Sequence, residues 1–133
     1  MRIWRITVSH EPILLLDPEV DSAFELAAQL ESNGFPTRIE HTGASARAAI
    51  KGGRFATLIV IANLDDEACL DWLDDLRRAA PRSWMIVVSP RCDVKTCHLI
   101  YRHGGDACVT SPLSVGELTA RLAAFQLRAR PLY

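Results

Sequence analysis

Polar side chains directly follow several apolar runs of this chain. In chain order they are Asp17, Ser89 and Ser111. A carboxylate is a ligand for a hard cation, and hydroxyls can hydrogen-bond the oxygens of an anionic group. The most apolar run, 57–62, instead ends in Ala62, whose methyl group can do no chemistry. If these runs are neighbouring strands, their ends form a site with one acid and two hydroxyls around an inert centre.

Alternation of apolar runs and amphipathic segments predicts five strand–helix units that would position these groups. The strands are predicted at 13–16, 36–41, 57–62, 84–88 and 107–109, and the helices around 20–30, 44–50, 70–80, 93–103 and 114–125. We expect Asp93 to be the N-cap of the fourth helix, and Ser114 with Glu117 to form a capping box at the start of the fifth. Right-handed crossovers then give an α/β fold, a flavodoxin-like, doubly wound parallel sheet of five strands in the order 2-1-3-4-5. Ligands of such sheets bind at the carboxyl ends of the strands.

The chain of 133 residues predicts one domain at 13–128, preceded by an extension at 1–12 and followed by a tail at 129–133. Alternation within 3–8 predicts an extra edge strand or an arm. A net charge of −1 argues against direct binding to nucleic acid or to an anionic membrane. Arg2 and Arg5 interrupt any secretory signal and no apolar run could span a membrane, so we expect a cytoplasmic protein.

The four cysteines include no C-x-x-C pair and no matching His or Cys spacing. They are Cys69, Cys92, Cys97 and Cys108. We expect buried or half-buried free thiols in a reducing compartment, with a metal site or a redox switch as the alternative. In the helix predicted at 70–80, the acids Asp71, Asp74 and Asp75 with Arg77 and Arg78 indicate a solvated outer face.

Four features of the sequence resemble the receiver domain of two-component response regulators. The stretch 104–113, Gly-Gly-Asp-Ala-Cys-Val-Thr-Ser-Pro-Leu, is similar to the receiver segment Gly-Ala-Asp-Asp-Tyr-x-x-Lys-Pro-Phe, and 13–17 is similar to the first strand and first acid. Ser89 stands 22 residues before Ser111, where receivers place a Ser or Thr. The segment 112–122 is most similar to receivers attached to winged-helix DNA-binding domains. The resemblance covers roughly residues 13–128.

The resemblance implies five functional groups: two acids for Mg²⁺, a phosphoryl-accepting Asp, a hydroxyl and a Lys. In this sequence the five positions fall, in that order of the chain, on Asp17, Pro18, Ala62, Ser89 and Ser111. Glu19 follows Pro18, and Asn63 follows Ala62. Pro18 cannot bind a metal, neither Ala62 nor Asn63 can form an acyl phosphate, and Ser111 is neutral. The resemblance therefore implies an emptied phosphoacceptor pocket without a catalytic residue, metal or cofactor.

Two other interpretations concern the same loops. Asp17 followed by Pro18 is a good N-cap and N1 pair for the first helix, a role that we favour over residual metal binding. Asp65 or Asp66, just past the central strand, is the alternative acceptor. The resemblance also implies a cis peptide bond before Pro112.

The resulting hypothesis is a pseudo-receiver that binds protein partners in signalling or transcription regulation. The resemblance implies a homodimer surface on the fourth helix, fifth strand and fifth helix, with Asp106, Glu117 and Arg121 on it. The competing hypothesis is a flavodoxin-like domain that binds a small molecule or nucleotide. Against it, no Gly-rich phosphate loop follows any predicted strand. An enzyme has little support, because no nucleophile–base pair stands at a strand end.

Overall fold

The computed structural model describes residues 11–62 and 67–128, and of residues 67 and 68 only the helical backbone. Strands and helices alternate along these residues, which confirms the predicted alternation. The strands are β1 (Ile13–Leu16), β2 (Thr37–Glu40), β3 (Thr57–Ile61), β4 (Trp84–Ser89) and β5 (Ala107–Thr110). The helices are α1 (Val20–Ser32), α2 (Gly43–Gly52), α3 (Glu67–Ala79), α4 (Val94–Arg102) and α5 (Val115–Gln126).

The five strands form one parallel sheet in the order β2-β1-β3-β4-β5, which confirms the predicted flavodoxin-like, doubly wound fold. β3 lies at the centre between β1 and β4. Its residues Leu58, Ile59 and Val60 are each at most 1% exposed. A central strand covered by helices on both faces must be apolar at every position, which is why this run stands out in the sequence.

Alternation of side chains along the strands divides the core into two layers. Leu14, Leu58 and Val60 pack on one face of the sheet with α2, α3 and Ile100 of α4. Ile13, Ile59 and their neighbours pack on the other face with α1 and α5. The helices therefore cover the sheet as two groups, and α4 and α5 lie on opposite faces near the β5 edge.

The far end of α5 is fixed by an aromatic pair. The ring of Phe125 stacks on that of Trp84, the first residue of β4, with ring centroids 4.3 Å apart and planes 5° from parallel. Ser114 caps the other end of α5 by accepting a hydrogen bond from Glu117 N at 3.3 Å, as predicted. α5 therefore runs from the carboxyl edge of the sheet to its amino edge with both ends held.

Capping was predicted correctly for α4 and α5 but not for α1 and α2. Asp93 caps α4 by accepting from Thr96 N at 2.8 Å, and this hydrogen bond lowers the pKa of Asp93 below its ordinary value of 3.8. Thr42 and Ser45 form a reciprocal capping box at α2, which the sequence analysis missed. Because α1 begins at Val20, Glu19 is its N-cap and the predicted Asp17–Pro18 cap pair is wrong.

The prediction that Arg77 lies on a solvated face is also wrong. Its guanidinium turns inward from α3 and donates to the carbonyl oxygens of Gly104, at 3.0 and 2.8 Å, and of Ala80 and Ser83, at 2.9 and 2.7 Å. It also donates to Asp106 Oδ2 at 2.8 Å, and both side chains are less than one-fifth exposed. Five carbonyl and carboxylate contacts of this kind suit the fixed fork of an arginine and no other side chain.

The expectation of free thiols throughout is wrong for two of the four cysteines. Cys92, in the loop after β4, forms a disulfide with Cys108 of β5. The strands β4 and β5 are neighbours, so their topology brings the two residues together, with Cα atoms 6.3 Å apart. Cys97 is a half-buried free thiol and Cys69 is buried.

Several predictions lie outside the described residues: the strand at 3–8, the groups Asn63, Asp65 and Asp66, and the tail at 129–133. Among the helices that the structure describes, none has the length and apolar character needed to cross a bilayer.

Candidate functional site

The polar residues at the strand ends lie along one edge of the sheet, as predicted. Backbone pairing continues one residue past the strands: Asp17 N donates to Glu40 O at 3.0 Å and Ala62 N to Val88 O at 2.9 Å. Ser111 N donates in turn to the carbonyl of Ser89 at 2.8 Å. Asp17, Ala62, Ser89 and Ser111 therefore line the carboxyl edge of β1, β3, β4 and β5, the edge at which sheets of this type bind ligands.

The carboxylate of Asp17 is buried, at 3% exposure, and both of its oxygens are engaged within its own loop. Oδ1 accepts from Glu19 N at 2.9 Å, and Oδ2 accepts from Ser22 Oγ at 2.7 Å. His41 Nδ1 lies 2.9 Å from the backbone oxygen of Asp17, so a proton on Nδ1 would donate there. These contacts order the β1–α1 loop, while Pro18 and Glu19 beside it are exposed.

Ala62 occupies the centre of the edge and is 5% exposed. Its methyl group packs with the apolar core between the sheet and α2–α3, together with Cys69 and Leu16. No nucleophile or acid is present at this position.

The hydroxyl positions differ in their surroundings. Ser89 is 2% exposed, and its Oγ accepts from Arg91 N at 3.3 Å. Ser111 is exposed and is joined to Pro112 by a cis peptide bond, as the resemblance implied. Both residues are neutral, so the position that carries a Lys in the resembled family supplies no positive charge here.

The described residues do not fit the Mg²⁺ site that this fold family implies. A divalent cation of this type needs carboxylate or carbonyl oxygens converging on it. Of the two acids in the described β1–α1 loop, Asp17 already accepts hydrogen bonds at both oxygens, and Glu19 is exposed. Within residues 11–62 and 67–128, no three His, Cys, Asp or Glu side chains are grouped to hold a metal.

The residues of the predicted interaction surface lie at the β5 edge. On α5, Arg121 Nη2 lies 3.4 Å from Glu117 Oε1, an exposed pair one turn apart. Asp106, before β5, is engaged inside the molecule, because its Oδ2 accepts from Met85 N at 2.9 Å as well as from Arg77. On the neighbouring α4, Val94 is 75% and Tyr101 54% exposed. Neither Val94 nor Tyr101 was predicted to belong to this surface, although the helical periodicity of the segment puts both on its outer side.

Comparisons with known proteins support the fold. No protein-family model matches the chain, and no curated protein matches it. A receiver domain protein described as CheY-like, from Methanospirillum hungatei, has a TM-score of 0.74 and 18% identity over 87% of this chain and 93% of that one. A putative pilus assembly-related protein from Burkholderia pseudomallei has a TM-score of 0.79 and 18% identity over 93% and 95% of the two chains.

A third structure is that of an atypical orphan response regulator, described as having a phosphorylation-independent regulatory mechanism. Its TM-score is 0.74, with 16% identity over 90% of this chain and 99% of that one. At such identities the likeness establishes the architecture. Together with the strand order and the site at the carboxyl edge, it shows that the chain has the receiver-type fold of CheY-like response regulators.

Proposed function

We propose that this protein is a receiver-type module that is not switched by aspartyl phosphorylation and acts through protein–protein contacts in signal transduction or transcription regulation. The observation that carries the proposal is the buried methyl group of Ala62 at the carboxyl end of the central strand. A phosphoryl group needs a nucleophile at that point, and a methyl group is not one.

The surroundings of Ala62 support the same conclusion. A transferred phosphoryl group brings negative charge, which a receiver neutralises with a metal ion and an ammonium group. Here the carboxylate of Asp17 is satisfied by Glu19 N and Ser22 Oγ, and Ser111 carries no charge. Among the described residues of this edge, position 18 is a proline and position 111 a serine, so neither supplies the charge that the reaction requires.

One structural neighbour supports such a role by analogy. It is described as an atypical orphan response regulator with a phosphorylation-independent regulatory mechanism, and it shares this fold over 90% of the chain. We propose that this protein likewise works without acceptor chemistry, in the cytoplasm and without direct contact to nucleic acid.

We place the interaction surface on α4, β5 and the first turns of α5. It presents exposed apolar side chains on α4, Val94 and Tyr101, and the charged pair Glu117–Arg121 on α5. Protein interfaces combine an apolar core with a polar rim, and these residues supply both kinds of side chain. A second copy of the chain or another signalling protein is the partner, and Asp106 supports this surface from inside through its bonds to Arg77 and Met85 N.

The test is incubation of the full chain with acetyl phosphate and Mg²⁺, followed by intact mass measurement. We expect no adduct of +80 Da, because no described acid occupies the acceptor position. A receiver domain with an intact Asp and Lys, treated in parallel, is the positive control. A stoichiometric +80 Da adduct that hydroxylamine removes and that maps to an aspartate, including Asp65 or Asp66, would contradict the proposal.

The competing small-molecule hypothesis needs a separate measurement. A ligand that binds only the folded state raises Tm. We expect no ligand of this kind, so a thermal-shift measurement with flavins and nucleotides should leave Tm unchanged. A saturable increase with one compound would favour the flavodoxin-like alternative over an interaction module.

A further inference from the structure

Three of the four cysteines gather at the start of α4. Cys92 lies in the loop before the helix, Cys97 lies in its first turns, and Cys108 lies on the adjacent edge strand β5. The Cys92–Cys108 disulfide closes a segment with a sequence separation of 16, and that segment contains all of α4. The thiol of Cys97 lies 3.5 Å from the backbone oxygen of Cys92.

The helix inside this loop has little apolar anchorage. Thr96 and Ile100 are its buried residues, and Ile100 is the one large apolar side chain among them. Burial of one such side chain stabilises by less than the entropy cost of ordering nine residues. The contacts at the two ends of α4 therefore matter for its order.

The two ends are tied in different ways. At the carboxyl end, His103 Nδ1 lies 2.9 Å from Asp74 Oδ1 of α3, and Arg77 donates to the carbonyl of Gly104. At the amino end, Asp93 accepts from Thr96 N within the helix, and Arg91 N in the preceding loop donates to Ser89 Oγ of β4. The disulfide is the covalent link between this end and the sheet.

We propose that the Cys92–Cys108 pair is a reversible redox site that controls the order of α4. With the disulfide formed, the amino end of α4 is held against β5. With the two thiols reduced, the first turns of α4 open, and the exposed positions Val94, His98 and Tyr101 lose their fixed arrangement. Cys92 also lies three residues after Ser89, in the loop that follows β4. Reduction therefore also frees this loop from its covalent link to β5.

The chemistry is ordinary thiol–disulfide exchange. A thiolate of a cellular dithiol attacks one sulfur of the pair, which forms a mixed disulfide and releases the other cysteine. The second thiol of the reductant then attacks the mixed disulfide and releases the remaining cysteine. Two electrons and two protons pass to the protein, and the reductant leaves as a disulfide. In the reverse direction one hydrogen peroxide oxidises a thiol to a sulfenic acid, releasing water, and condensation with the other thiol releases a second water.

The site is accessible to such reagents. Cys92, Cys97 and Cys108 are each partly exposed, and a shallow surface groove is lined by Cys92, Cys97, His98 and Tyr101. In a reducing compartment the dithiol form is the resting state and oxidation orders the helix. The inference concerns a covalent change at Cys92 and Cys108, so it does not depend on whether the protein can be phosphorylated.

The experiment compares the full chain after treatment with hydrogen peroxide and after treatment with dithiothreitol. Peptide mapping without reductant identifies the linked cysteines, and hydrogen exchange measures the amides of residues 97–102. We expect a Cys92–Cys108 peptide only in the oxidised form, at least tenfold faster exchange of α4 after reduction, and unchanged exchange in β1 and β3. Reduction should also lower Tm by about 5–15 °C.

Cys92→Ser and Cys108→Ser should show the fast exchange of the reduced form under both treatments, whereas Cys97→Ser should keep the wild-type difference. Since the oxidised and reduced wild type are compared directly, a variant that fails to fold does not remove the test. The proposal is overturned if α4 exchanges equally in both forms, if Cys92 is linked to Cys97 instead, or if Cys97→Ser abolishes the difference.

Discussion

At the scale of single residues, Asp17 is a structural group of its own loop, because its oxygens accept from Glu19 N and Ser22 Oγ. Acids that share a metal site repel one another, and a cation must offset them. Residue 62 is an alanine and places no second acid beside Asp17. In the pseudo-receiver that we propose, Asp17 therefore orders the β1–α1 loop and holds no metal.

Gly104 is the residue at which backbone conformation and packing are both demanding. It has φ +100°, and a Cβ placed there would lie 2.7 Å from Cβ of Arg77. We expect Gly104→Ala to lower the free energy of unfolding by about 2–4 kcal/mol, because strain in the left-handed region adds to the displacement of Arg77. Urea denaturation measures this loss.

Two other glycines separate these contributions. Gly34 has φ +89°, and a Cβ at this position would have no atom within 4 Å. Gly34→Ala should therefore lower the free energy of unfolding by the backbone strain alone, about 1–2 kcal/mol. Gly52, without positive φ or close contact, should tolerate alanine. Equal losses for Gly34→Ala and Gly104→Ala would show that Arg77 adjusts freely.

At the scale of elements, Arg77 connects α3 to the turn before β4 and to the turn between α4 and β5. We expect Arg77→Met to lower the free energy of unfolding by about 2–4 kcal/mol, because it leaves the Asp106 carboxylate and several carbonyls without their guanidinium donor. Arg77→Lys should recover little, since an ammonium group cannot reach these acceptors together.

Arg78→Ala is the matched control. Arg78 is the next residue of the same helix, and its side chain, 75% exposed, pairs with Asp75 at 2.6 Å. An exposed pair contributes at most about 1 kcal/mol. A loss for Arg78→Ala as large as that for Arg77→Met would contradict an inward role for Arg77.

The elements also show how far the sequence could predict the structure. Runs such as 57–62 identify buried strands because only side chains covered on both faces can be uniformly apolar. The pairing of Cys92 with Cys108 follows only once β4 and β5 are known to be neighbours. Arg77 was assigned to the outer face because its charge fits the local pattern beside Arg78. Its partners Gly104 and Asp106 lie 27 and 29 residues further along the chain, and a local pattern cannot reveal them.

At the strand ends, the sequence predicts where residues lie better than what their side chains contact. The parallel sheet brings Asp17, Ala62, Ser89 and Ser111 to one edge whatever their side chains are. Asp17, however, was assigned to the cap of α1, whereas the helix starts at Val20 with Glu19 as N-cap. The short loop bends back before the helix begins, a detail that depends on the bonds to Ser22.

At the scale of the whole molecule, the two helix groups give the protein different surfaces for association. We expect Tyr101→Asp, on α4, to weaken self-association at least tenfold, because an aromatic anchor becomes a charge that must be desolvated. Sedimentation velocity over a range of protein concentrations measures the effect.

Phe24→Asp is the matched control, because Phe24 is similarly exposed, at 61%, but lies on α1 across the sheet. Its self-association should equal that of the wild type. A stronger effect for Phe24→Asp would place the interface on α1, and a wild type that stays monomeric at all concentrations would exclude the homodimer. Leu118 is fully buried and unsuitable for this comparison.

The stacked rings of Trp84 and Phe125 have a mechanical consequence. α5 is about 18 Å long, and its capped start follows the exposed Ser111–Pro112 turn, whereas its other end rests flat on Trp84. Between these ends Leu118 and Leu122 pack into the core, so α5 is held to the sheet along its length. A partner that displaces the Ser111 end would therefore shift the whole helix and change the stacking of Phe125 on Trp84. In a variant that keeps Trp84 as its one tryptophan, indole emission would report such a displacement from the opposite edge of the sheet.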